Sequence, residues 1–394
     1  MRFTFIGLAD EQTPRLAEEV LAEIAAVRIF SGGRRHRELV AALLPEGALW
    51  IDIATPLDDV FRQYEGHDHI VVFASGDPLF FGFAATVQRR LPAAELTIHP
   101  AMNSLQTLAH RVVMPYHDMR IVSLTGRPWG ELDRALIEGA PKIGILTDRT
   151  HTPAAIARRM SEFGYTGYAM IAGERLGNRD GERVSQLTLS AAALGNFAAP
   201  NCVIVHGEPR PRPFGIPDAE FEPLDGRPAM ITKMPVRLAA LSMLGLGQAR
   251  TFWDVGFCTG SVSIEARLRF PHLGIHAFEV RPEGARLMEV NSRRHAAQGI
   301  ETHIGDFLAC DLCALPRPDA VFIGGHSGRL EEIVARVASL LAEGGRIVFN
   351  SVTDESRSRF EAACAAAGLS AVTGMRIAVD EHNPIEICKT CKLP

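Results

Sequence analysis

Between His206 and Pro223 the alternating pattern of the chain stops. The stretch Gly207-Glu208-Pro209-Arg210-Pro211-Arg212-Pro213-Phe214-Gly215-Ile216-Pro217 holds four prolines and no apolar periodicity. Proline lacks a backbone donor and has a fixed φ, so neither a helix interior nor a central strand can run through it. On either side, short β-rich runs alternate with amphipathic helical patterns, the signature of α/β layers with parallel strands. The break predicts two folding regions, 1–205 and 226–394, joined by a semi-rigid linker over 206–225.

In the first region, strands are predicted at Phe3 to Leu8, Val27 to Phe30, Leu49 to Ile53, His69 to Ala74, Leu96 to His99, Ile121 to Leu124, Ile143 to Leu146, Tyr168 to Ala172 and Cys202 to Val205. That is too many for one sheet of modest size, so two lobes are expected, 1–114 and 115–205. The first helix is expected behind Thr13-Pro14, a capping residue followed by proline at the first helical position. In the second region seven strands are predicted, with helices between the first five and the last two close together. This is the pattern of a doubly wound sheet that ends in an antiparallel hairpin.

Charge narrows the range of partners. The chain of 394 residues carries 41 Lys plus Arg against 46 Asp plus Glu, and neither region has a basic excess. Nucleic acid is therefore not expected as a partner. No apolar run reaches the roughly 18 residues of a membrane span, and Asp10 and Glu11 interrupt the apolar start too early for a signal peptide. Seven cysteines, an odd number, argue against a disulfide framework, so a cytoplasmic address is expected. Cys310-x-x-Cys313 and Cys388-x-x-Cys391 are separated too widely for a compact zinc ribbon. They are expected to be packing or surface thiols, with no metal. Only Lys142, Lys233, Lys389 and Lys392 among the cations are lysine, an arginine bias that fits either codon usage or a carboxylate-rich substrate.

In the second region Asp254-Val255-Gly256-Phe257-Cys258-Thr259-Gly260-Ser261 passes from strand to helix. Small residues there let a ligand approach the backbone, and the helix start offers free amides. Glu279, nineteen residues past Gly260, ends the next strand, where a carboxylate can accept both hydroxyls of a ribose. Asp306 and Phe307 follow the third strand, and His326 and Ser327 follow the fourth at its carboxyl edge. The dinucleotide pattern G-x-G-x-x-G is not met, which disfavours a dehydrogenase. The array resembles the class I (Rossmann-like) S-adenosylmethionine methyltransferases. Cys258 departs from the second glycine usual in that loop; if the position needs φ > 0, the loop is strained.

The first region carries Ser75-Gly76-Asp77-Pro78-Leu79-Phe80-Phe81-Gly82, then Pro100-Ala101-Met102-Asn103-Ser104, then Ser123-Leu124-Thr125-Gly126-Arg127. Singly, each fits a tight turn with an N-cap. In this order they resemble the tetrapyrrole methylases, whose donor lies between two α/β lobes. Gly32-Gly33-Arg34-Arg35-His36, Glu174-Arg175-Leu176-Gly177 and Asp180-Gly181-Glu182-Arg183 resemble the branch that methylates C5 of precorrin-6Y. The second region, from Ile231-Thr232-Lys233 to Gly324-Gly325-His326-Ser327-Gly328, resembles the branch that methylates C15 and decarboxylates the C12 acetate. Together they resemble the fused precorrin-6Y C5,15-methyltransferases (decarboxylating) of cobalamin biosynthesis.

The resemblance implies a bifunctional enzyme with two S-adenosylmethionine sites per chain, a small-molecule tetrapyrrole substrate, and a homo-oligomer that contacts neither nucleic acid nor membrane. It implies that Gly76, Asp77, Pro78, Asn103 and Ser104 hold the donor in the first region. In the second, Asp254, Gly256, Gly260, Glu279, Asp306 and Phe307 would do so. Arg34, Arg35, Arg127 and Lys233 are expected to bind substrate carboxylates, with His326 and Ser327 at the reacting centre. One departure is Gly7-Leu8-Ala9-Asp10-Glu11, which stands where the family has a glycine- and proline-rich turn. It leaves open a tetrapyrrole carrier or sensor with one degenerate lobe. A methyltransferase of another substrate is the remaining reading.

Overall fold

The structure is a computed structural model that describes residues 1–9, 11, 14–380 and 384–393. Two units are compact in themselves: 1–128, 141–159 and 167–208 form one, and 129–140, 160–166 and 209–394 the other. Residues 129–140 and 160–166, expected in the second lobe of the first region, thus group with the second unit. Asp10 and Thr13 lie outside the described residues.

The first unit holds two five-stranded sheets. In the first, β1 (Arg2–Leu8), β2 (Ile29–Gly32), β3 (Leu49–Asp52), β4 (His69–Ser75) and β5 (Glu95–His99) run parallel in the order β3-β2-β4-β1-β5. A parallel sheet is covered on both faces, and the side chains of β1 show it. Phe3 and Phe5 enter a cluster with Tyr64 and Val72, while Ile6 and Leu8 enter another with Ile24 and Phe30. Each fully buried side chain of this kind contributes about 1.5–3 kcal/mol.

The second sheet comprises β6 (Arg120–Ser123), β7 (Lys142–Leu146), β8 (Tyr168–Glu174), β9 (Arg183–Thr188) and β10 (Asn201–Gly207), ordered β6-β7-β10-β8-β9. Only β6 and β7 pair parallel; the rest are antiparallel. Strand β9 was not expected, because its residues have no apolar run. It forms because β8 has a free edge, and Glu174 sits opposite Arg183 in the register. The Arg183 guanidinium grips the buried Glu174 carboxylate with two bonds, at 2.6 and 2.9 Å. The first helix, Glu18–Ala26, begins at an Ala17 cap rather than at Thr13-Pro14.

The second unit carries the expected doubly wound sheet. Its strands are β11 (Thr251–Val255), β12 (Gly274–Glu279), β13 (Ile300–Ile304), β14 (Ala320–Ile323), β15 (Arg346–Ser351), β16 (Thr373–Ile377) and β17 (Ile385–Cys391). The order is β13-β12-β11-β14-β15-β17-β16, parallel through β15 and antiparallel across the final hairpin. Alternate residues again feed two cores: Trp253, Phe278 and Ile323 face one, Phe252, Ile275 and Phe322 the other.

The proline-rich stretch is not a free spacer. From 209 onward it belongs to the second unit, where Ile216, Phe221 and Leu224 are buried. The Glu265 carboxylate accepts the backbone N–H groups of Gly215 and Ile216, at 2.8 and 3.1 Å, and pairs with the fully buried Arg237 at 3.2 Å. Prolines cannot join a sheet, so side chains supply the bonds that their neighbours need.

Candidate active sites

In the first unit the carboxyl ends of β1, β4 and β5 converge. The Gly76 N–H donates to the Leu8 carbonyl at 2.8 Å, and the Ala101 N–H donates to Gly76 at 3.3 Å. A Cβ on Gly7 would stand 2.6 Å from the Ala101 nitrogen, and Gly76 has φ +60°, so both positions demand glycine. Above this junction opens a cleft of about 740 Å³ lined by Gly7, Gly76, Met102, Asn103, Ser104 and Asn201 among others. Asn103 caps the helix Ser104–Arg111 reciprocally with Gln106, which holds that helix start at the cleft. Leu8, Ala9 and Glu11 of the unusual first loop also line it.

Among the expected residues, Gly76, Asn103, Ser104 and Arg35 face this cleft. Asp77 is instead a turn residue whose carboxylate accepts the Leu79 N–H at 2.9 Å, and buried Pro78 packs beneath Gly82. Arg34 points outward, 92% exposed, and pairs with Glu38 one helical turn on. Arg127 lies over the Phe81 ring at 5.0 Å, and Phe81 is a cleft residue. On a helix adjacent residues diverge, which is why Arg34 and Arg35 separate. His36, also a cleft residue, accepts the Gly33 N–H through Nδ1 at 3.2 Å and reaches Ser75 Oγ through Nε2 at 3.0 Å. Burial, reinforced by Arg35, pushes its pKa down to about 4, so the ring is neutral and its proton sits on Nε2.

The second unit has its own cleft of about 290 Å³ at the carboxyl ends of β11 to β14. Gly256, Glu279, Asp306, Phe307, His326 and Ser327 all line it. Gly256 has φ +78°, and a Cβ there would meet the Gly325 backbone nitrogen at 2.5 Å. Glu279, 2% exposed, accepts the Cys258 N–H at 2.9 Å and the Arg281 N–H at 3.0 Å. Asp306 accepts the Leu308 N–H at 3.0 Å and the Arg329 guanidinium at 2.8 Å. His326 accepts the Gly328 N–H through Nδ1 at 3.2 Å. Burial, with help from Arg359, holds its pKa below the ordinary value, which favours the neutral ring.

Three expected residues stand outside this cleft's lining. Asp254 is fully buried behind the loop, where Ser263 Oγ donates to it at 2.6 Å. Desolvation raises its pKa to about 7, and Oδ1 has no protein partner. Gly260, φ +78°, precedes the helix Ser261–Arg269 and packs against Met288. Lys233 caps the helix Met234–Leu244 and faces Asp218 at 3.6 Å, an ion pair rather than a cleft cation. Cys258 has φ +53°, so the loop holds the strain expected of a side chain there, while its thiol donates to the Met230 carbonyl at 3.2 Å. Ser327 has φ +47° and is exposed.

Arg281 and Arg329 were not singled out from sequence, yet both line the second cleft. Arg281 follows Glu279 by two residues, a signal that an acid ending a strand needs a countercharge, whereas Arg329 reaches Asp306 from 23 residues away and only through the fold. The C-x-x-C pairs separate: Cys388 is in the core, Cys310 and Cys391 are half-buried, and Cys313 is exposed. No helix among the described residues is long and apolar enough to cross a membrane.

A family model of tetrapyrrole (corrin/porphyrin) methylases matches residues 4–193, and one of a precorrin methyltransferase domain matches 225–392. A precorrin-6Y C(5,15)-methyltransferase [decarboxylating] from Sinorhizobium sp is 32% identical over 361 residues, 89% of this chain and 85% of that one. A cobalt-precorrin-6B C(15)-methyltransferase (decarboxylating) from Salmonella typhimurium is 38% identical over 133 residues, 34% of this chain and 68% of that one. The crystal structure of a precorrin-6Y C5,15-methyltransferase from Geobacter metallireducens covers 45% of this chain and 97% of its own, with 33% identity and a TM-score of 0.41.

Proposed function

Because the chain belongs to the family of precorrin-6Y C5,15-methyltransferases (decarboxylating), we propose that it methylates precorrin-6Y at C5 in the first unit. In the second it methylates C15 and removes the C12 acetate carboxyl, giving precorrin-8. The observation that carries this reading is a pair of clefts, one within each unit, both at the carboxyl edge of a parallel sheet segment where glycines bring backbone to the surface.

S-adenosylmethionine, when bound, supplies an electrophilic methyl group. The donor sets fit it. In the first unit, Gly7 and Gly76 leave room at a junction that any Cβ would fill, and Asn103 and Ser104 present a helix start. In the second unit, the buried Glu279 carboxylate suits ribose hydroxyls, and Gly256 keeps the loop clear of side chains. Asp254 acts from behind, fixing the start of the helix Ser261–Arg269 through Ser263. Asp306 and Phe307 close the cleft on the side where an adenine would lie.

The chain's own contribution is mainly alignment, because an enamine-like carbon of a reduced tetrapyrrole is already nucleophilic. Arg35 in the first cleft and Arg281 in the second stand where substrate carboxylates would enter, whereas the Arg329 fork is already taken by Glu332 and Asp306. The neutral His326 ring keeps its proton on Nε2, so it orients a carboxylate or carbonyl as a donor rather than taking a proton as a strong base. Electrons released as the C12 acetate loses carbon dioxide pass into the macrocycle and feed C15.

Incubating the full chain with precorrin-6Y and S-adenosylmethionine, followed by mass analysis, tests the reading. The expected product carries two added methyl groups and has lost one carbon dioxide. A product with a single methyl, or with its carboxyl retained, would refute a bifunctional assignment.

A further inference from the structure

On the second unit's sheet, away from the cleft, two imidazoles and a carboxylate meet. His276 lies on β12, while Glu301 and His303 lie on the neighbouring edge strand β13. The register pairs His276 with Glu301 and Phe278 with His303, so all three side chains project from one face. Among the described residues they are the one group of three ligand-type side chains whose donor atoms all lie within 4.8 Å of one another.

Two of the three donor separations match both a hydrogen bond and a shared coordination shell. His276 Nδ1 is 3.2 Å from His303 Nε2 and 3.3 Å from a Glu301 oxygen. Metal–ligand bonds of about 2.0–2.1 Å at tetrahedral angles place neighbouring donors about 3.3–3.4 Å apart. The imidazole planes lie 24° apart with centroids 5.5 Å apart, and the nitrogens His276 Nδ1 and His303 Nε2 are 3.2 Å apart. His303 is held in place by stacking on Phe278, with centroids 4.8 Å apart. The His276 side chain is 5% exposed and that of Glu301 68%, so the cluster opens to solvent on one side.

A single proton on His276 Nδ1 can serve either His303 or Glu301, whereas one cation serves all three donors at once. We propose that His276, Glu301 and His303 bind one borderline divalent transition-metal ion, such as Zn²⁺, with water completing the shell. Two imidazoles and a carboxylate are the donor types such ions take, and rigid neighbouring strands hold them without loop ordering. His276 precedes Glu279 by three residues on the same strand, roughly 10 Å, so the ion lies outside the donor cleft. Its consequence is mechanical: it ties edge strand β13, which leads directly to Asp306, to its neighbour β12.

The test is equilibrium dialysis of the full chain, first stripped with a chelator, against Zn²⁺. One ion per chain is expected for the native protein. Glu301→Ala should weaken its affinity at least tenfold, and Glu301→Ala with His303→Ala should abolish stoichiometric binding. Circular dichroism and S-adenosylhomocysteine binding verify that both variants are folded. Co²⁺ replaces Zn²⁺ as a spectroscopic probe, because thiolate ligands add a sulfur charge-transfer band that imidazole and carboxylate do not. Absence of saturable binding, binding unchanged in the double variant, or a thiolate band with Co²⁺ overturns the proposal.

Discussion

Replacing Glu279 with glutamine preserves the side chain's shape while removing its charge. The carboxylate is 2% exposed; one oxygen accepts the Cys258 N–H at 2.9 Å, and the other accepts the Arg281 backbone and guanidinium N–H groups, each at 3.0 Å. If the same carboxylate accepts ribose hydroxyls, an amide keeps one acceptor and turns the other position into a donor. One charge-assisted hydrogen bond is worth about 1.5–3 kcal/mol. Affinity at the second unit's site should therefore fall about 10- to 150-fold. With one donor site in each unit, as proposed, calorimetric titration of the full chain with S-adenosylhomocysteine, which has no methyl to transfer, reads both sites at once. The first unit's site is the internal control and should not change. Losing one protein acceptor also costs stability, about 1–3 kcal/mol, so circular dichroism should accompany the titration. Equal affinities in the native protein and the variant at both sites would show that Glu279 only holds the Cys258 loop and Arg281.

Three further outcomes follow from local geometry. Gly256→Ala places a Cβ 2.5 Å from the Gly325 nitrogen at a φ of +78°, so loop and strand end must part; mass analysis should show C5 methylation kept while C15 methylation and decarboxylation are lost. Cys258→Gly relieves left-handed strain of about 1–2 kcal/mol but loses the thiol bond to Met230. Chemical denaturation should show unchanged or higher stability, and a loss above ~1 kcal/mol would mean the thiol contact dominates. The His36 pKa, lowered to about 4 from 6.5, means the unfolded chain binds the extra proton first. This part of the fold should weaken as pH falls from about 6.5 toward 4, by up to ~3 kcal/mol. His36→Gln should flatten that acid-side slope in denaturation series, and an unaltered slope would remove His36 as its source.

Sequence alone determined the α/β class, the doubly wound second sheet, and ten of the residues that line the two clefts. It did so because burial repeats with the period of the backbone and because glycine and acidic residues at strand ends are local requirements. Gly256, Glu279 and Asp306 were legible for that reason; each is demanded by its own strand and loop. Only the tertiary structure decided what depends on distant neighbours. Strand β9 exists because β8 offers an open edge and a buried Glu174 for Arg183, neither visible in a run of polar residues. The proline-rich stretch looked like a spacer, yet it packs in the second unit because Glu265 accepts the amides of Gly215 and Ile216. Lys233 is expected to bind substrate, but it pairs with Asp218 and is not among the residues that line the cleft. Arg35 faces its cleft while Arg34 turns to Glu38, a division set by helix phase against the sheet. Likewise, Glu301 and His303 are two residues apart on β13, and it is the pairing of β12 with β13 that brings the distant His276 to them.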